Sequence, residues 1–143
     1  MKFSRAFTVI ELIFVIAVLG ILIAMALPKF SSTRDQADIA KGRGDVATIR
    51  VAIVNERQTR IIKGDYSWIS NGTGVGQMDN GGLFGGVLSY PMANSDSAGN
   101  WSATAGSGIY KYRVGDSQNT FTYASSDGTF LCTSGNECSG LAD

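Results

Sequence analysis

The chain has 143 residues, 12 Lys plus Arg against 12 Asp plus Glu, two cysteines and no histidine. Without an imidazole there is no Ser-His-Asp or Cys-His catalytic unit, no histidine zinc ligand and no histidine pH switch, and two cysteines fall short of a four-thiolate metal site. The length suits one domain of ordinary size, and zero net charge argues against a chain whose overall field recruits nucleic acid.

That zero conceals an asymmetry. Residues 1–6 contribute two positive charges, residues 7–63 carry eight basic against five acidic side chains, and residues 64–143 carry two against seven. Glycine is split as unevenly, with 15 of the 18 in residues 64–143. The first part is compatible with helix; the second, rich in Gly, Ser, Asn, Thr and aromatics, has the composition of short strands joined by turns.

From Phe7 to Leu27 the only ionisable side chain in 21 residues is Glu11. At about 1.5 Å per residue this is roughly 30 Å of helix, enough to cross a bilayer's hydrocarbon core. A secretory signal peptide would have a shorter apolar region and a small-residue cleavage site, for which Ala24, Met25 and Ala26 before Leu27 and Pro28 are poor. Lys2 and Arg5 would keep the N-terminus in the cytoplasm and send residues after Pro28 outward, although Lys29 and Arg34 weaken that bias. Glu11 is the anomaly. A carboxylate four residues into an apolar helix costs several kcal/mol unless paired, protonated or near the interface, so it reads either as a functional acid or as one that reaches the headgroup layer.

The string Arg5-Ala6-Phe7-Thr8-Val9-Ile10-Glu11-Leu12, followed by an apolar run with Gly20 and Pro28, resembles the N-terminus of type IV pilins and type II secretion pseudopilins. The resemblance implies removal of a leader, residues 1–6, by a prepilin peptidase that cuts between Ala6 and Phe7 and methylates Phe7. Ala6 stands where relatives usually have Gly. It also implies that Glu11 pairs with the N-terminal amine of a neighbouring subunit as a filament assembles. The partners implied are further copies and related pilins, the peptidase and methyltransferase, and an inner-membrane assembly platform. The chain would be a single-pass inner-membrane protein with its head in the periplasm, then part of an extracytoplasmic filament; it would be an enzyme's substrate and no enzyme.

Residues 7–28 are thus expected to form a transmembrane and polymerisation helix, with Gly20 a weak point and Pro28, which lacks an amide hydrogen, kinking or loosening it. Residues 29–63 continue as an amphipathic stalk helix, since Ile39, Val46, Ile49 and Ile53 recur at helical spacing. Gly42 and Gly44 inside it suggest local bending. Arg43, Arg50 and Arg57, spaced by seven, share one helix face. Two readings stand for them: a track for DNA phosphates, as in a competence or minor pilin that binds DNA or another ligand, or a solvated or subunit-facing stripe accompanied by a Glu56–Arg60 pair.

Residues 64–143 form the head, too small to be comfortable alone and expected to use the stalk's apolar stripe as part of its core. Tyr66, Trp68, Leu83, Phe84, Val87 and Leu88 are candidate anchors in a glycine-rich connection. Its Gly72, Gly74 and Gly76 imitate a nucleotide-binding loop without the flanking strand and helix. Three strands are expected at Tyr110–Val114, Thr120–Ser125 and Thr129–Thr133, with Asp127-Gly128 a hairpin signal. The fold class is α+β, a long N-terminal helix packed on a small antiparallel sheet, an order that also resembles pilin subunits. Cys132 and Cys138, outside the cytoplasm, should form a structural disulfide worth about 2 kcal/mol. No cofactor is required. An EF-hand reading of residues 94–105 fails because Ala98 and Ala105 occupy ligand positions, while an irregular calcium site on Asp96, Asp116 or Asp127 competes with the ordinary role of turn aspartates in capping their own backbone.

Overall fold

The computed structural model describes residues 7–142, with backbone alone for 27–31. A long helix, α1 (Val9–Ile62), is followed by β1 (Trp101–Ala103), β2 (Ile109–Val114), β3 (Ser117–Ala124), β4 (Thr129–Ser134) and a short helix, α2 (Cys138–Ala142). The strands form one antiparallel sheet in the order β1-β2-β3-β4. The fold is α+β, as the composition indicates. The helical assignment runs through Gly20 and Pro28. Contacts divide the chain into two compact units, the first ending at Arg34 and the second beginning at Asp35.

In the first unit, Val9–Ala26 has a mean hydropathy of 2.9 and none of it is buried. By length and composition it can cross a membrane.

In the second unit the core is shared by helix and sheet. Val46, Ile49 and Ile53, spaced by three and four, lie on one face of α1 and are 0–2% exposed. They join one cluster with Tyr110, Tyr112 and Val114 of β2, Phe121 and Tyr123 of β3 and Phe130 of β4. The strand period of two aligns these residues on the inner face, and burying each large side chain contributes about 1.5–3 kcal/mol. Phe84 stacks on Tyr110 at 4.3 Å and Phe121 on Phe130 at 5.3 Å, while Trp101 meets Phe121 edge-on at 5.2 Å. The head is therefore completed by the stalk stripe, as its size requires.

Several expectations need correction. The sheet has four strands, because the three-residue β1 pairs with β2 through Trp101↔Tyr112 and Ala103↔Tyr110. The second expected strand begins three residues earlier and ends at Ala124, since Ser117–Gln118 complete the ladder against Arg113 and Val114. Gly42 is a site of close packing, where a Cβ would stand 2.5 Å from Tyr112 Cε1 and 2.6 Å from Leu141 Cδ2, and the helical assignment continues through it. Tyr66 is 72% exposed and anchors nothing, whereas Ile69 and Met78 are fully buried in its place. Leu83 and Phe84 are buried, and Trp68, Val87 and Leu88 pack against the core.

The glycine-rich connection is organised around the buried carboxylate of Asp79. Its Oδ1 accepts hydrogen bonds from Phe84 N (3.0 Å) and the Tyr110 hydroxyl (2.9 Å), and its Oδ2 from Gly106 N (2.8 Å). Phe84 sits at φ 59°, a left-handed conformation costly for a bulky residue and held here by its buried ring and that amide bond. Burial, then the neighbouring Asp79 charge, pushes the Tyr110 hydroxyl far above its usual range. Among the polar contacts between α1 and the head, Trp101 Nε1 donates to Asp45 Oδ2 (3.0 Å), the Tyr112 hydroxyl to the Asp38 carbonyl (2.8 Å), and Lys41 Nζ to the Gly99 carbonyl.

Candidate functional site

The apolar helix begins in a reciprocal cap. Thr8 N and Thr8 Oγ1 both donate to Glu11 Oε2 at 2.9 Å, and Glu11 N donates to Thr8 Oγ1 at 3.3 Å. The threonine hydroxyl satisfies an amide that the first turn leaves without a carbonyl, and the acid three residues on reaches back to the capping residue's own amide. Glu11 Oε1 has no described partner, and no basic side chain pairs with Glu11 among the described residues. From there the helix presents Ile10, Phe14, Ile21 and Met25, each at least 60% exposed. Phe7 is exposed; Ala6 lies outside the described residues, and of Pro28 only the backbone is described.

The seven-spaced arginines are bound to the head. Arg43 Nε donates to the Gly140 carbonyl (2.9 Å), Arg50 Nε and Nη1 donate to the carbonyls of Phe130 (3.1 Å) and Ala142 (3.0 Å), and the Arg57 guanidinium lies 4.0 Å from the centre of a Trp68 ring. Arg60 pairs with Glu56 at 3.1 Å, as the spacing indicates, and also with Asp65 at 3.2 Å.

Of the three candidate calcium ligands, Asp96 and Asp116 share Arg113 as a donor, through a carboxylate and a backbone carbonyl, while Asp127 stands in a turn of its own. Asp96 receives Arg113 Nη2 (2.9 Å) and Nε (3.3 Å), Gln118 Nε2 (3.1 Å) and Ser102 Oγ (3.5 Å), and the Arg113 bonds lead in holding its carboxyl below the usual range. Asp127 Oδ1 accepts from Thr129 N (3.0 Å) and Oγ1 (2.7 Å) in the β3–β4 turn, the self-capping role of a turn aspartate, and these bonds lower its pKa. Asp116 offers its backbone carbonyl to Arg113 at 3.5 Å. Among the described residues no group of three or more His, Cys, Asp or Glu side chains could hold a metal ion.

Two curated relatives resemble this chain. The type IV narrow pilus major component PilA5 of Thermus thermophilus is 43% identical over 49 residues, 34% of this chain and 42% of that protein. The type II secretion system core protein G of Pseudomonas aeruginosa is 40% identical over 50 residues, 35% of each. The matched region thus spans less than half the length of either relative. Over that region the chain is similar to a type IV pilin and to a type II secretion pseudopilin. No family model and no solved structure matches it.

In this pilin-like chain Cys132 and Cys138 are joined as a disulfide, with 5.5 Å between their Cα atoms. Gly72, Gly74 and Gly76 belong to an irregular loop in which Gly74 N donates to Gln77 Oε1 (2.7 Å) and Met78 N to the Ser70 carbonyl (2.9 Å). Sequence reasoning passed over Thr8, although Thr8-Val9-Ile10-Glu11 before an apolar run is a capping-box signature.

Proposed function

We propose that the chain is a structural subunit of a type IV filament-like machine, a pilin or a type II secretion pseudopilin, anchored and polymerised through its N-terminal helix. The observation that carries this reading is the bare apolar helix Val9–Ala26, opened by a single carboxylate held in a Thr8 cap. Such a surface needs lipid before assembly and other apolar helices afterwards. In this reading a prepilin peptidase cuts between Ala6 and Phe7, the new Phe7 amine is methylated, and Oε1 of Glu11 receives the amine of a neighbouring copy. In low dielectric the pair is favoured over two separate charges, and a lone charge is strongly disfavoured. The helix lies in the inner membrane with the head in the periplasm, and an assembly platform passes the subunit into the filament. A DNA-binding role gains nothing from Arg43, Arg50 and Arg57, which already serve the head.

Two measurements test this. The mass of the membrane-extracted protein should fall by residues 1–6 and rise by one methyl group. Glu11→Val should still insert in the membrane yet give no filament, and normal filament yield from this variant refutes the pairing.

A further inference from the structure

We propose that residues 135–142 form a thiol-gated latch, held shut by the Cys132–Cys138 disulfide and released when that bond is reduced, while the rest of the head stays folded. The disulfide joins β4 to the first residue of α2. Of residues 135–142, Leu141 alone is buried, at 0% exposure. It fills the notch that Gly42 leaves on α1 beside Tyr112, and Gly140 packs less closely on Ile39, whose Cγ2 would be 3.3 Å from a Cβ placed there.

The other ties are polar. A five-residue helix cannot satisfy its own last carbonyls, and here α1 supplies the donors, Arg43 Nε to Gly140 and Arg50 Nη1 to Ala142. Asn119 Oδ1 accepts from Glu137 N at 2.9 Å. One buried side chain and three hydrogen bonds are a weak return for ordering eight residues, so the covalent bond is what keeps the segment in place. The sheet does not depend on it in this way. Phe121, Tyr123 and Phe130 are buried against α1 and β2, and β3 pairs with β2 along its length.

The bond lies at the surface: both cysteines are half-buried, with Leu131, Thr133 and Ser139 beside them exposed. A thiolate of a small dithiol attacks one sulfur, which breaks the S–S bond and forms a mixed disulfide. The second thiolate of the reagent then displaces the protein sulfur. Two electrons pass to the protein, its two sulfurs take up protons as thiols, and the dithiol leaves as a cyclic disulfide. Opening frees Arg43 and one arm of Arg50 from their carbonyls and uncovers the Gly42 notch.

The test is amide exchange on the full chain in detergent micelles, with and without dithiothreitol. Leu141 N donates to the Glu137 carbonyl at 2.9 Å and reports the latch directly. Reduction should speed exchange over residues 137–142 by ~10-fold or more, with β2 and β3 and Trp101 fluorescence unchanged. Unchanged exchange at 137–142 overturns the proposal, and so does parallel loss of protection in the sheet. The Cys132→Ser, Cys138→Ser double variant should show the open pattern without reductant, and a closed pattern in it also overturns the proposal. Leu141→Ala should loosen the same residues with the disulfide intact, and if it does not, Leu141 is no plug.

Discussion

Gly42 and Gly44 stand two residues apart in α1, yet alanine at these positions should act with opposite sign. Either replacement removes a helical glycine, which favours the folded state by about 1 kcal/mol. At Gly44 nothing lies within 4 Å of the new Cβ, so the whole gain is kept and stability should rise by about 1 kcal/mol. At Gly42 the Cβ would meet Tyr112 Cε1 at 2.5 Å, Leu141 Cδ2 at 2.6 Å and Tyr112 Cζ at 2.9 Å. Neither side chain yields cheaply. Both are fully buried, and the Tyr112 hydroxyl is bonded to the Asp38 carbonyl. Overpacking of this kind costs about 1–3 kcal/mol, leaving a net loss of about 1 kcal/mol after the helix gain. With a shift of about 4 °C per kcal/mol for a chain of this size, the two variants should differ in Tm by roughly 8 °C. Thermal unfolding of the full chain in detergent, followed by the fluorescence of buried Trp101, measures this. The packing argument is refuted if Gly42→Ala melts at or above Gly44→Ala.

Asp79→Ala leaves the Tyr110 hydroxyl and the amides of Phe84 and Gly106 without their acceptor, and should cost about 3 kcal/mol or more in urea unfolding. Burial keeps Tyr110 and Tyr112 neutral far above their ordinary range and pushes Tyr123 up to about 12. The unfolded chain ionises them near pH 10, so stability is full below pH 10 and falls between about 10 and 12, by about 1.4 kcal/mol per pH unit for each group; a flat urea midpoint up to pH 12 contradicts this. Asp96 has the reverse sign: its lowered pKa adds a salt-sensitive stability present above about pH 4 and lost as pH falls further, which disappears in Arg113→Gln. Millimolar calcium should leave Tm unchanged, because Asp96 is engaged by Arg113 and Gln118 and Asp127 by Thr129; a rise of several degrees refutes this.

The parts legible in the sequence are those written in periodic or local patterns. An uncharged apolar run, the three-and-four spacing of Val46, Ile49 and Ile53, the alternation around Tyr110 and Tyr112 and the Asp127-Gly128 turn each declare an element without reference to any other. The resemblance at the N-terminus rests on contiguous residues, and the pilin relatives agree with it. β1 escaped notice because three residues are too few for an alternation to register, and it is a strand only because β2 lies beside it.

The arginine stripe shows the limit most clearly. A spacing of seven places Arg43, Arg50 and Arg57 on one side of a helix, but what faces that side depends on segments some 80–97 residues away for the first two. The same holds for Gly42, which reads as a flaw in a helix and serves as clearance for Tyr112 and Leu141. Helix, membrane segment, sheet class and disulfide pair follow from the sequence itself, since each depends on local backbone preference, apolar length or the count of cysteines. Which carboxylate is buried, which cations are occupied and which glycine is indispensable were decided by the tertiary structure, because burial and hydrogen bonding are set by whichever distant atoms the fold brings within reach.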